Sequence, residues 1–432
     1  MQKKEQYTTL RKKYPEFIYQ DYAYRFYGAD LEVWFYFLTK PDLRFKTKIT
    51  IKNVSSKRFQ IINKTDLENL IFHLGLVEML NYWKLTCSPI INIKAGNLEN
   101  KQKTFLKKLI VNGMGQYFYE NKIDFTKKEF LKIESAKYIK KLSKSNTILD
   151  KNKTLLPIGG GKDAPVAIKR LQQKQNLALG AFALNPQISQ KEIIKISKIK
   201  NQIFAEREID PLLFKLNKKG YLNGHVPFSA FLTHLSLIIA LLFDYKNIAF
   251  AWEKSADEPN VRYKNKPINH QWSKSAKWEK LIQNYAKKWL LENINIYSPL
   301  RTLTELEIAQ EFAQLKKYHK VFLSCNNAYK RGVTNPKWCG KCSKCLFVFT
   351  SLYPFIEEGQ LVKIFNKNLF EDKRLVPLMK QLTGKSEHKP FECVGTIEEN
   401  NKAFKMCVKK FQATHPNKKL PLVLNNWKRV GS

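Results

Sequence analysis

Three consecutive glycines, Gly159-Gly160-Gly161, stand directly before Lys162-Asp163 and constrain this chain more than any other run. Leu155-Leu156-Pro157-Ile158 before them reads as a short buried strand. After them, apolar residues at 164, 167, 168 and 171 follow the spacing of one helix face. Pro165 suits a helix start, where the first amides have no internal partner. A glycine turn between a strand and a helix N-terminus lets backbone amides approach a phosphate, with the helix dipole favouring the anion. The run therefore points to a nucleotide-dependent enzyme, and it is also compatible with an ordinary Gly-rich strand-to-helix turn.

A Walker A loop needs Gly four residues before the Gly-Lys pair and Ser or Thr after the lysine, but Leu156 and Asp163 stand there. The spaced glycines of a dinucleotide fold are missing too. The run instead resembles the Ser-Gly-Gly-x-Asp-Ser loop of the PP-loop ATP pyrophosphatases, which split ATP between the α- and β-phosphates and adenylate an oxygen. Gly stands for the leading Ser and Ala164 for the trailing one, which removes a phosphate-contacting hydroxyl.

With 432 residues, the chain has room for two or three domains and a substantial core. The first residues, Met1-Gln2-Lys3-Lys4-Glu5-Gln6, lead into charged sequence, and the longest apolar run, Leu235 to Phe243, is too short to span a bilayer. The expectation is a soluble, cytoplasmic protein with no membrane partner. The net charge of +39 raises nucleic acid as a partner. Yet only 11 of the 76 basic residues are Arg, the side chain favoured for bidentate phosphate and base contacts. The lysines are spread along the whole chain with many Asn and Ile, so composition argues against nucleic acid.

Cys325, Cys339, Cys342 and Cys345 form a group, the last three as two overlapping CxxC steps. In a reducing compartment that spacing indicates a metal before a disulfide, and zinc suits a closed tetrahedral thiolate site. A redox pair is the other use of such spacing. Cys325 is expected to end a strand, Val321-Phe322-Leu323-Ser324, and to supply the fourth ligand.

Residues 1–150 are expected to form an N-terminal α+β domain. Strands are predicted over 31–37 and 45–54, helices over 67–82 and 105–120, and the aromatic residues from Tyr22 to Tyr36 are expected in the sheet core. A Lys- and Asn-rich stretch at 132–153 marks the boundary. Residues 151–360 alternate strands and helices, which predicts an α/β parallel sheet covered on both faces. Strands are expected at 177–184 and 247–253, and helices at 228–244 and 303–318. Residues 361–432 are expected to form a C-terminal region packed on the middle one.

Several polar groups lie where ligands sit in such sheets, beyond the carboxyl ends of the strands. His225, in Asn223-Gly224-His225-Val226-Pro227, precedes a helix, as a phosphate ligand, an acid or base, or a capping residue. Glu253, Lys254 and Ser255 follow the strand at 247, and Asn269, His270, Ser273 and Lys274 come soon after. Cys393 sits in Lys389-Pro390-Phe391-Glu392-Cys393-Val394-Gly395, either a proton-transfer thiol or a buried structural one.

Taken in order, these blocks resemble one family, the ATP-dependent epimerase acting on UDP-N-acetylmuramoyl-L-alanyl-L-glutamate in cell-wall synthesis. The likeness includes Tyr82-Trp83-Lys84, Ser88-Pro89, the glycine loop, Leu222 to Pro227, Glu253 with Ser255-Ala256, Asn269-His270-Gln271, Ser273-Lys274-Ser275, Trp338 to Cys345 and Lys389 to Gly395. Trp252 and Lys254 stand where Asn and Arg are expected. The resemblance implies a PP-loop core and consumption of ATP with Mg2+. It implies Gly159, Gly160, Gly161 and Lys162 around the phosphates, with Asp163 placing Mg2+. Glu253, Ser255, Asn269, His270, Ser273 and Lys274 would contact a UDP-linked muramoyl dipeptide. Cys393 and His225, then Lys254, are the candidates for proton transfer. The Cys pattern also resembles the cyano-deazaguanine synthase of the queuosine pathway, a shorter PP-loop enzyme. A tRNA-modifying PP-loop protein and a zinc-stabilised RNA-binding module are the remaining alternatives.

Overall fold

The computed structural model describes residues 3–136, 144–330 and 333–431. Ten strands form one sheet, and two more form a hairpin. They are β1 Glu16–Tyr27, β2 Asp30–Thr39, β3 Leu43–Ile51, β4 Ile90–Ile93, β5 Lys132–Ser135, β6 Lys153–Pro157, β7 Ala178–Leu184, β8 Asn201–Glu208, β9 Asn247–Ala249, β10 Val261–Tyr263, β11 Lys266–Ile268 and β12 Asn295–Tyr297. The large sheet runs β12-β9-β6-β7-β8-β3-β2-β1-β4-β5, and β10 pairs with β11.

Five neighbours, from β12 to β8, are mutually parallel. From β6 the chain winds outward through β7 to β8, then returns to place β9 on the other side of β6. The strand order therefore reverses between β9 and β6, and a ligand crevice opens at the carboxyl ends of such a pair. The glycine loop leaves β6 at that point.

Side chains alternate across this block as a pleated strand requires. Leu155, Phe182 and Ile248 belong to one apolar core; Leu156, Ala181, Ala183 and Ala249 belong to the other. The first core continues through the N-terminal strands and the helix Lys64–Glu78. The second continues through the helices Ser343–Leu352 and Ile397–Thr414, so residues beyond 361 share the core of the middle region. Of the aromatic residues expected in the sheet core, Phe35 is fully buried, Tyr22, Tyr24, Phe26, Trp34 and Tyr36 are half-buried because alternate side chains face away from the core, and Tyr27 is exposed.

The sheet crosses residue 150 without a break, because β3 pairs antiparallel with β8. The Lys- and Asn-rich stretch contains β5 and the start of β6; its residues 137–143 lie outside the described ones. Three expected elements differ. Val321–Ser324 is not a strand: it crosses the strand ends, and the Leu323 N–H donates to the Gly160 carbonyl at 2.6 Å instead of joining a ladder. The strand from Asn247 stops at Ala249, and Trp252 hands its N–H to the Ser298 hydroxyl. The helix expected over 303–318 spans only Glu305–Ala313, opened by a Thr304–Glu307 capping box. No helix among the described residues is long and apolar enough to cross a membrane.

Candidate active site

A cleft of about 360 Å³ opens over β6, β7 and β9, lined by Gly159, Gly160, Gly161, Asp163, Trp252, His270, Lys274, Ser324, Lys344 and Cys393 among others. Gly159 faces open space, where a Cβ would meet nothing within 4 Å. Gly160 packs the other way: a Cβ there would come within 2.6 Å of the Leu323 carbonyl and 2.5 Å of the Ser189 and Tyr329 hydroxyls. The turn is thus clamped from below and bare above. It feeds the helix Asp163–Gln172, whose first amides have no helical acceptor.

Lys162 does not reach into the cleft. It is buried, and its ammonium lies 2.6 Å from Asp163 Oδ1 and donates to Glu305 Oε2. Burial opposes its charge, but the two carboxylates raise its pKa above the usual lysine value. Burial likewise works against the Asp163 carboxylate, yet Lys162 and Lys344 hold it below the usual range. Burial pushes Glu305 up to about 7, with Lys162 opposing and Asp163 and Glu253 adding. The cation facing the cleft from this side is Lys344, on the first turn of the helix Ser343–Leu352, with its ammonium on the Cys393 carbonyl.

Opposite the loop, the Lys274 ammonium lies 3.3 Å from the Cys393 sulfur. Burial lowers the Lys274 pKa, but Cys393 and Glu253 outweigh it and raise it. Glu253 is buried below this pair; burial raises its pKa, and Lys274 only partly offsets that. Arg301 fixes both backbones, donating to the Glu253 carbonyl at 3.0 Å and the Lys274 carbonyl at 2.8 Å, while Glu279 holds the guanidinium. The Glu392 carboxylate receives the Ser343 hydroxyl at 2.6 Å and the Lys344 N–H at 2.8 Å, tying the Cys393 segment to the Lys344 helix.

His270 lines the cleft and His225 packs against it, ring centroids 4.4 Å apart and ring planes at 49°. Burial lowers the pKa of both, to about 4 for His270, with Lys274 adding to the effect, so each imidazole is neutral. His225 Nε2 is buried without a partner among the described residues. The Asn269 side chain is occupied by the Ala256 carbonyl and the Gln271 N–H, which shapes the turn carrying His270. Ser255 and Ser273 are buried behind the cleft wall. Lys254 is exposed and lines a separate depression with Thr304 and Glu398, so it does not join Cys393 and His270.

The four grouped cysteines bring their sulfurs within 4.8 Å of one another, three of the pairs at 3.5–3.9 Å. Sulfurs about 2.3 Å from a tetrahedral zinc stand roughly 3.8 Å apart, so this set can hold such an ion. Ser324 and Asn326 flank Cys325, Lys344 precedes Cys345, and all three line the cleft. The cysteine cluster therefore joins the two segments that wall the site.

Two of these groups escaped the sequence reading. Glu305 sits in the first turn of its helix, where the helix dipole gives an acidic residue an ordinary reason to be there, and Arg301 has no motif around it. Lys344 lay inside the Cys block without a role; its place between two spaced thiols was the available signal.

Comparison with known proteins identifies the family. Residues 8–299 match the MurL N-terminal domain, and residues 321–423 match the MurL C-terminal domain. A UDP-N-acetyl-alpha-D-muramoyl-L-alanyl-L-glutamate epimerase of Salinispora tropica is 30% identical over 84% of this chain and 79% of its own length. Its counterpart in a Micromonospora species is 31% identical over 84% of this chain and 80% of its own. That of Xanthomonas oryzae is 29% identical over 79% and 75%. No solved structure matches this chain. With both domain models matched across the residues that build the cleft, the chain belongs to the MurL epimerase family.

Proposed function

We propose that this chain inverts the terminal L-glutamate of UDP-N-acetylmuramoyl-L-alanyl-L-glutamate, with ATP activating a glutamate carboxylate. The observation that carries the reading is the cleft itself, where a bare glycine turn at a helix N-terminus faces the Lys274–Cys393 pair. The α-proton of a free carboxylate is hard to remove, because the carbanion forms beside an existing negative charge. ATP supplies the remedy: the carboxylate oxygen attacks the α-phosphorus, pyrophosphate leaves, and the resulting mixed anhydride is an electron sink. Hydrolysis afterwards returns the carboxylate and AMP.

The residues divide this work. Amides of Gly159–Gly161 and the ammonium of Lys344 hold the phosphates. Asp163, kept ionised by Lys162 and Lys344, offers the oxygen that Mg2+ prefers. Lys162 positions Asp163 from beneath. Inversion needs a proton removed on one face and returned on the other. Cys393, oriented by Lys274, serves one face, and His270, held neutral and backed by His225, serves the other. The cysteine cluster, with zinc as its ion, keeps Ser324 and Lys344 in place. All seven cysteines are free of disulfides, which suits a reducing compartment such as the cytoplasm.

The test is pyrophosphate release from ATP and Mg2+ by purified protein. Release that requires the UDP-linked dipeptide, with D-glutamate recovered after acid hydrolysis, supports the proposal. Epimerisation without ATP, or release indifferent to the dipeptide, overturns it.

A further inference from the structure

The cleft is too small for the whole reaction. About 360 Å³ suits one drug-sized ligand, whereas ATP and a UDP-linked sugar dipeptide must meet here. On the proposed function, the glutamate end lies at Cys393 and the nucleotide end of the substrate must leave the cleft. Two other depressions suit it poorly. The one beside Lys254 carries Asp257, Glu258, Glu398 and Glu399, which repel a diphosphate. Another, at Lys153 and Asn201, lies at the amino ends of β6 and β8, away from the loop.

A different surface adjoins the Cys393 side. Tyr119, Tyr263, His388 and Phe391 are half-buried rings from three separate segments. Tyr119 meets Tyr263 at 5.6 Å, Phe391 at 5.5 Å and His388 at 6.3 Å between centroids. The Lys122 ammonium lies 4.8 Å from the Tyr119 ring and that of Lys264 6.0 Å from the Tyr263 ring. The group begins where the cleft ends. Gln116 holds His270 at 2.6 Å, and Tyr119 lies three residues further along the same helical face. Phe391 stands two residues before Cys393, and β11 of the Tyr263 hairpin runs directly into Asn269-His270.

We propose that this aromatic group, with Lys122 and Lys264, is the subsite for the uridine diphosphate end of the substrate. A pyrimidine has a π-face that stacks on aromatic side chains irrespective of its hydrogen-bonding edge. The two ammoniums stand beside the rings, where a diphosphate attached to a stacked nucleoside runs. The proposal rests on the function argued above, but it assigns a separate part of the substrate to residues that touch no reacting atom.

The experiment compares UDP-linked muramoyl-L-alanyl-L-glutamate with the same dipeptide carried on muramoyl 1-phosphate, which lacks uridine. For the unaltered protein, KM is expected to be lower for the UDP form. Tyr119→Ala and Tyr263→Ala should each raise KM for the UDP form about tenfold, the scale of losing one base stack, so that discrimination between the two substrates collapses. Tyr119→Phe and Tyr263→Phe, which keep the ring, should retain it. Equal losses on both substrates would mean that the rings only pack the hairpin against the helix, and unchanged discrimination would overturn the subsite. Titration with UDP alone separates this proposal from the functional one. If neither dipeptide is epimerised, the function fails, while UDP binding weakened by Tyr263→Ala still supports the subsite and absence of such weakening overturns it.

Discussion

Glu78 and Arg207 form one buried ion pair; Lys162, Asp163 and Glu305 form another group, and the two differ in what surrounds them. Glu78 is fully enclosed in the N-terminal core, and Arg207 meets it at 2.8–3.3 Å while lying over the Phe231 ring. Each charge has one partner, and no cavity adjoins them among the pockets described above. The pair ties β8 to the helix Lys64–Glu78. Beneath the glycine loop, one ammonium serves two carboxyl groups, a third (Glu253) lies close, and Lys274 and Lys344 bring the group to three ammoniums and three carboxyl groups, two of which, Glu253 and Glu305, burial pushes toward the protonated form. That group borders the cleft. Buried charge inside a core fixes how elements pack, whereas buried charge at a cleft sets protonation states where ligands arrive.

Substitution sharpens the contrast. Arg207→Met and Lys162→Met each strand buried carboxylate charge, and each should cost about 3–5 kcal/mol of stability. The paired change Glu78→Leu with Arg207→Met should recover most of the loss and keep pyrophosphate release. Lys162→Met with Glu305→Met should recover stability only in part, since Asp163 remains, and release should stay at least about a hundredfold down. Chemical denaturation and a pyrophosphate assay on the four variants decide this; equal behaviour of the two pairs would erase the distinction.

Removing the zinc proposed for the Cys325, Cys339, Cys342 and Cys345 cluster should act on the cleft as well as on the fold. A chelator that strips stoichiometric zinc should weaken binding of a non-hydrolysable ATP analogue, because Ser324 and Lys344 lose their anchor. Unchanged analogue binding by metal-free protein would make the cluster remote from the site.

The pH dependence of the two regions should have opposite signs. Burial holds His73 at about 3 and His234 at about 4, below the ordinary histidine value of 6.5. Their contribution to stability is complete above about pH 6.5 and is lost as pH falls, because the unfolded chain then binds protons that the native one refuses. At pH 5 that amounts to about 2 kcal/mol for each. Glu305, raised to about 7, works the other way: its native form keeps a proton that the unfolded chain releases, so its contribution is full below about pH 4.5 and is lost as pH rises through 7. Thermal unfolding between pH 7 and 5 should therefore show a flatter acid loss in His234→Leu and a steeper one in Glu305→Gln. Parallel curves for all three proteins would refute the assignment.

The smallest effect should follow Ala164→Ser. Ala164 is buried at the loop and lines the cleft, so a hydroxyl there adds one hydrogen bond at most. A change in KM for ATP of about fivefold or less is the scale of one such bond; a hundredfold gain would mean that the loop of this chain is impaired.

The sequence made the loop legible because glycines, a strand and a helix face leave little else to build. It also indicated the Cys cluster and the Cys393 block, where spacing carries chemistry. It did not show that Lys162 turns under the loop, since a lysine beside three glycines reads as a phosphate ligand until the burial of Glu305 is known. Val321–Ser324 has a strand's composition, but it meets Gly160 rather than a sheet edge. Lys254 stood behind Cys393 and His225 as a candidate, and only tertiary structure puts Cys393 in the cleft and Lys254 outside it.

The central claim is that this cleft activates a carboxylate and then exchanges the α-proton through Cys393. The most direct measurement follows deuterium from solvent into the glutamate α-carbon alongside pyrophosphate release, in unaltered protein and in Cys393→Ala. The account predicts both signals in the first and pyrophosphate release without deuterium incorporation in the second. Full deuterium incorporation by Cys393→Ala would contradict it.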